Sequence, residues 1–141
     1  MITLKIKDKE YKIEYGFEAT IRTKIISKVA KLQNDDNADK KKKIGLTDII
    51  DKMEDIISIL PEMLLVGLQK NHEEFKFDYD NDEAKKSKIG EMYGLIEDYT
   101  DGEHDVYDLF SELQEEMLKN GFLKKMFHQM MEAMTANKQE K

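Results

Sequence analysis

The hydrophobic period of the chain changes once near its start, and that change restricts the fold more than any other feature. Ile2, Leu4 and Ile6 alternate with polar residues, Lys7-Asp8-Lys9-Glu10 interrupts them, and Tyr11, Ile13 and Tyr15 alternate again. Two alternating runs joined by a short polar connection predict a β-hairpin over residues 2–15. After Gly16 the spacing becomes helical, with Phe17, Ile21, Ile25, Val29 and Leu32 on one face. A lone hairpin is marginal in water, so this helix is expected to pack on its apolar side.

From Gln33 the pattern dissolves into Asn34-Asp35-Asp36-Asn37 and the run Lys40 to Lys43, which predicts a mobile loop over 33–46. Thr47 and Asp48 are candidate caps for a helix with the apolar stripe Ile49, Ile50, Met53, Ile56, Ile57 and Leu60. Pro61 is expected to close that helix and open another, because proline suits a helical first turn. The new piece, Met63 to Gln69, is apolar on almost every side and is the candidate centre of the core.

After Phe75, Phe77 and Tyr79, a helix is predicted from about Asp82 to Tyr99, showing Ile89, Met92, Tyr93, Ile96 and Tyr99. Another runs from about Asp105 to Lys119 with Leu109, Phe110, Leu113, Met117 and Leu118 inward. It stops at Asn120-Gly121, where glycine supplies a left-handed residue and Phe122 can fold back. A final helix, about 122–136, carries Leu123, Met126, Phe127, Met130, Met131 and Met134. The expected fold is α+β and mostly α: an N-terminal hairpin on a bundle of about five helices, one domain over 1–136 with a disordered tail at 137–141.

A chain of 141 residues can bury one sizeable core without covalent staples. There is no cysteine, which excludes disulfides, thiolate metal sites and a cysteine nucleophile, and fits a reducing compartment. The longest apolar run, Met63 to Leu68, falls well short of the ~20 residues of a membrane helix. Lys5, Lys7 and Asp8 interrupt what would be the apolar part of a signal peptide. A cytoplasmic protein is the expectation.

The net charge of −7 is unevenly placed: about +5 over 1–46, about −8 over 71–105 and about +2 over 121–141. Arg22 is the sole arginine, so the dense basic face that neutralises nucleic acid phosphates is missing. Lys40 to Lys43 lacks interleaved aromatic residues for base stacking and reads as a solvated loop.

No catalytic constellation emerges, and neither an enzyme nor a cofactor is expected. Asp78, Asp80 and Asp82 alternate like calcium ligands, but Glu83 stands where such a loop needs glycine and Ile89 where it needs a bidentate glutamate. His72, His104 and His128 have no metal-ligand spacing, and no nucleophile elbow or phosphate loop is present. Five of the nine methionines lie between Met117 and Met134. Their flexible, polarisable side chains suit either core filling or a surface that accepts helical partners. The last helix follows a chain that already has a core, so Leu123, Met126, Phe127, Met130, Met131 and Met134 are the candidate partner-binding residues.

The stretch Ile2-Thr-Leu-Lys-Ile-Lys-Asp-Lys-Glu-Tyr11, followed by Lys-Ile-Glu-Tyr-Gly-Phe17, resembles the opening of the tail assembly chaperones of long-tailed, siphovirus-type bacteriophages. A long helix from Glu18, a segment Leu60-Pro-Glu-Met-Leu-Leu-Val-Gly-Leu-Gln69 similar to the family's central helix with its glycine, and an acidic helical second half ending in Gly121-Phe122 extend the likeness over nearly the whole chain. The lysine-rich segment 33–46 departs from the pattern as an insertion.

The resemblance implies a chaperone that binds the long tape measure protein and keeps it soluble while tail tube subunits polymerise around it. It also implies action in the host bacterial cytoplasm and absence from the finished virion, with the tail tube protein as a further candidate partner. Met126, Phe127, Met130 and Met134 are expected to line the partner surface either by the terminal helix swinging away from the core or by joining subunits into an oligomer. The family's second, frameshifted product implies a slippery codon run near Lys124-Lys125 or Asn137-Lys138. The alternative expectation is a cytoplasmic adaptor or regulatory protein that binds a host protein through an acidic helical surface.

Overall fold

The computed structural model describes residues 1–34, 45–119 and 123–139, with the backbone alone at 32–34, 127 and 135–139. Strand β1 (Ile2–Ile6) pairs antiparallel with β2 (Lys9–Ile13), placing Leu4 opposite Tyr11 and Ile2 opposite Ile13. Lys7 takes a left-handed φ of 56° in the two-residue turn. Leu4, Ile6, Tyr11, Ile13 and Tyr15 are all buried, so the alternating positions form the face that meets the helices.

The expected helix after Gly16 is two helices, α1 (Phe17–Thr23) and α2 (Ile25–Asn34). Lys24 separates them in the left-handed region, at φ 56° and ψ 33°. The break rotates α1 relative to a continuous helix, and Ala19, Thr20 and Thr23 take the inward places expected of Phe17 and Ile21. Phe17 and Ile21 are exposed, while Ile25 and Val29 on α2 are buried as their spacing required. The Leu32 side chain lies outside the described residues.

Helix α3 (Leu46–Leu68) is continuous through Pro61, which corrects the expected break there. A proline inside a helix removes one backbone donor, whose partner would be the Ile57 carbonyl. Ile57 is half exposed, so water can replace that bond. Gly45 is the N-cap rather than Thr47, and its amide donates to Asp48 Oδ2 at 3.0 Å. With α2 ending at Asn34 and α3 starting at Leu46, residues 35–44 of the expected loop, including the lysine run, lie outside the described residues.

The C-terminal part of α3, from Leu60 to Leu68, is the buried centre apart from the half-buried Glu62. Each fully buried leucine or methionine there contributes about 1.5–3 kcal/mol relative to an exposed position. The hairpin is tied to it by two hydrogen bonds: the Tyr15 hydroxyl donates to the Met63 carbonyl at 2.8 Å, and the Glu14 amide donates to the Gly67 carbonyl at 2.9 Å. Glu62 accepts from Lys28 at 2.5 Å and Lys85 at 2.9 Å, so one carboxylate joins α2 and α4 to α3.

Beyond α3, a short 3-10 turn (Glu73–Phe75) leads to α4 (Asp82–Tyr99) and α5 (Val106–Lys119). Asn81 caps α4 by accepting the Ala84 amide at 3.1 Å. Asp105 and Asp108 bond reciprocally at the start of α5, each side chain accepting the other's amide. Met92 and Tyr99 are buried on α4, and Leu109, Phe110, Leu113 and Met117 on α5. Tyr93, expected inward, is exposed, because the inner face of α4 is narrow and is completed by the partly buried Ile89, Leu95 and Ile96. The fold is thus α+β and mostly α, with six α-helices among the described residues. The last, α6 (Lys124–Gln139), extends to 139, past the start of the expected tail.

Candidate partner-binding faces

Helix α6 leaves the body through Leu123, which is buried, and packs mainly on α5. From Lys124 to Met134 every described side chain is exposed. Met126, Met130, Met131 and Met134 therefore stand on the surface, whereas Leu123 is buried and anchors the helix. The Phe127 side chain and the Gly121-Phe122 connection lie outside the described residues. His128 pairs with Glu132 at 3.1 Å one turn along the same helix.

A second apolar face was not anticipated as a surface. Leu46, Ile49, Ile50, Met53 and Ile57, on the first half of α3, are exposed; of the expected stripe only Ile56 is partly buried and Leu60 buried. The stripe was legible in the sequence, but its burial was not. The available signal was that one helix carries two apolar demands: the run Met63 to Leu68 fills the core, so the stripe before Pro61 extends beyond it. Asp48, Asp51, Glu54 and Asp55 flank the exposed half and are themselves exposed.

The other residues weighed as sites have structural roles. Asp78 Oδ1 accepts the Asp80 amide and its carbonyl accepts the Asn81 amide, which closes a turn before α4. Among the described residues, no three His, Asp or Glu side chains gather as a metal site. His72 Nε2 accepts the Lys12 amide at 2.9 Å and its Nδ1 lies 3.2 Å from Glu74, so the ring clips β2 to the segment after α3. Accepting that amide requires an unprotonated Nε2. His104 stacks on Tyr99 at 4.5 Å between ring centroids.

The shifted titrations also belong to the framework. Burial pushes the Tyr15 hydroxyl well above its ordinary value, and burial with the Glu112 hydrogen bond does the same to Tyr99. The hydrogen bond from Lys70 holds the Glu14 carboxyl below the usual range. None of these groups lies on α6 or on the exposed half of α3. Among the described residues no helix is long and apolar enough to cross a membrane.

The arrangement offers two solvent-facing apolar stripes on helices and acidic flanks along one of them. Comparison with protein-family models, curated proteins and solved structures yields no match to this chain.

Proposed function

We propose that the chain is a phage tail assembly chaperone that binds the tape measure protein and keeps it soluble while the tail tube polymerises around it. The observation that carries this reading is the surface face of α6, where Met126, Met130, Met131 and Met134 are exposed on a helix anchored by Leu123. An amphipathic helix docks by laying its apolar side against such a face, and methionine adapts to varied partner side chains. The acidic exterior suits a chaperone, because net charge keeps a complex with an aggregation-prone client in solution. The resemblance of residues 2–17 and 60–69 to the tail assembly chaperones supplies the identity of the client.

The reading predicts a tape measure gene beside this one, and co-expression with its product tests it. The expected result is that the client stays soluble and co-purifies with this chain, and that Met130→Glu with Met134→Glu abolishes most of the recovery. Aggregation of the client regardless of this chain, with both well expressed, overturns the proposal and directs the search to a host protein that recognises the acidic helical surface.

A further inference from the structure

The imidazole of His72 holds two partners that answer differently to a proton. Its Nε2 accepts the Lys12 amide at 2.9 Å, and its Nδ1 lies 3.2 Å from Glu74 Oε1. A neutral ring has one donor and one acceptor nitrogen, so with Nε2 accepting, the ring proton is on Nδ1 and points to Glu74. A second proton can enter only at Nε2. The contact with Glu74 then persists as an ion pair, whereas Nε2–H faces the Lys12 N–H, donor against donor.

The position of that bond gives the change a direction. The outer edge of β2 makes two hydrogen bonds to the region where α3 ends: Lys12 to His72, and the Glu14 amide to the Gly67 carbonyl at 2.9 Å. The first depends on a ring that titrates, the second on a carbonyl that does not. Tyr11 stands beside the first, its ring 5.6 Å from His72 and 6.2 Å from Phe75. Ile13 and Tyr15, on either side of Glu14, are buried. Lys12 is exposed, so water can take its amide when the ring lets go.

The charges around the ring pull both ways. On β2, Lys12 and Lys9, whose Nζ stands 5.3 Å from the Tyr11 ring centroid, oppose a further positive charge. In the turn after α3, Glu74 favours it, while Glu73 is engaged by Lys76 at 2.9 Å. From α4, Lys88 donates to the Glu74 carbonyl at 2.8 Å, and at the end of α3, Lys70 pairs with Glu14 at 2.7 Å.

We propose that His72 is a proton-operated clip: the neutral ring holds the turn end of the hairpin to the segment after α3, the protonated ring releases it, and the Glu14–Gly67 bond keeps the rest of the hairpin in place. An imidazole ordinarily changes charge between about pH 5 and 8, above the range in which glutamates take up protons, so His72 is the group that works the clip. The device concerns this chain alone and stands apart from the identity of any client.

Amide hydrogen exchange of the full chain, corrected for the intrinsic rate at each pH, reads both edge bonds separately. From about pH 8 to about pH 5 the protection of the Lys12 amide should fall about fivefold, the loss of one ordinary hydrogen bond, while that of Glu14 stays within about twofold. The fall should coincide with protonation of His72 Nε2, read from the nitrogen chemical shifts of the ring. In His72→Gln, checked for folding by circular dichroism and still carrying His104 and His128, the step should vanish. Lys12 protection that stays constant over this range, a parallel loss at Glu14, or a step that persists in His72→Gln would overturn the proposal.

Discussion

A Cβ placed on Gly67 would stand 2.7 Å from Ile13 Cγ2. The hairpin therefore approaches α3 so closely that a side chain at position 67 must displace Ile13, and Tyr15 Cζ stands at 3.2 Å from the same point. Helix propensity alone favours alanine over glycine by about 1 kcal/mol. Overpacking a tight contact costs about 1–3 kcal/mol, and both neighbours here are buried, so the steric effect wins. Gly67→Ala is expected to lower unfolding stability by about 1–2 kcal/mol net of that propensity. Urea titration checks the sign; a more stable variant would mean that the hairpin gives way.

Lys24 presents the opposite case. Its left-handed backbone terminates α1, and its amide donates to the Ile21 carbonyl at 3.3 Å. A side chain in that conformation costs about 1–2 kcal/mol, which glycine avoids at some entropic loss in the unfolded chain. Lys24→Gly should raise stability by about 0.5–1 kcal/mol, whereas Lys24→Ala should leave it nearly unchanged. Thermal melts of the pair distinguish the backbone effect from loss of the lysine charge.

Tyr15 and Tyr99 make stability depend on alkaline pH. Both hydroxyls are raised above the ordinary value near 10 in the folded chain, so folding favours the protonated form. Their contribution is fully present below pH 10 and declines above it, as the unfolded chain loses protons that the folded chain retains. Spectrophotometric titration should show two of the six tyrosines ionising only as the circular dichroism signal collapses. Six tyrosines titrating together in a chain that stays folded would contradict the burial of these two.

The two parts of α3 should respond differently to substitution. Leu64→Ala, at a fully buried position, is expected to cost about 2–5 kcal/mol. Met53→Glu, on the exposed half, should change monomer stability by no more than about 0.5 kcal/mol. Measurement at low protein concentration keeps association out of the comparison. A large loss at Met53 would mean that the stripe supports the fold rather than presenting a surface.

Period and composition disclosed the hairpin, α4, α5 and the buried segment from Met63, because each satisfies a local pattern that its packing reinforces. Lys24 disclosed nothing: a lysine carries no signal for a left-handed residue, and a spacing that runs unbroken from Phe17 to Val29 concealed a turn of the face. Pro61 misled for the opposite reason, since its local preference for a first turn was overridden by burial of the helix on its far side. For the surface, the methionines of α6 were legible because they follow a chain with its core already supplied. The ladder Ile49, Met53 and Ile57 was not, because an apolar stripe reads alike whether it meets the body or leaves it.

Because α3 does not stop at Pro61, the residues that meet solvent at Ile49 and those that hold the hairpin at Gly67 belong to one stiff rod. A rod of 23 residues spans about 35 Å, so the arm before Pro61 acts as a lever whose fulcrum lies where it enters the body. Torque applied to the arm is delivered to the Glu14–Gly67 and Tyr15–Met63 hydrogen bonds.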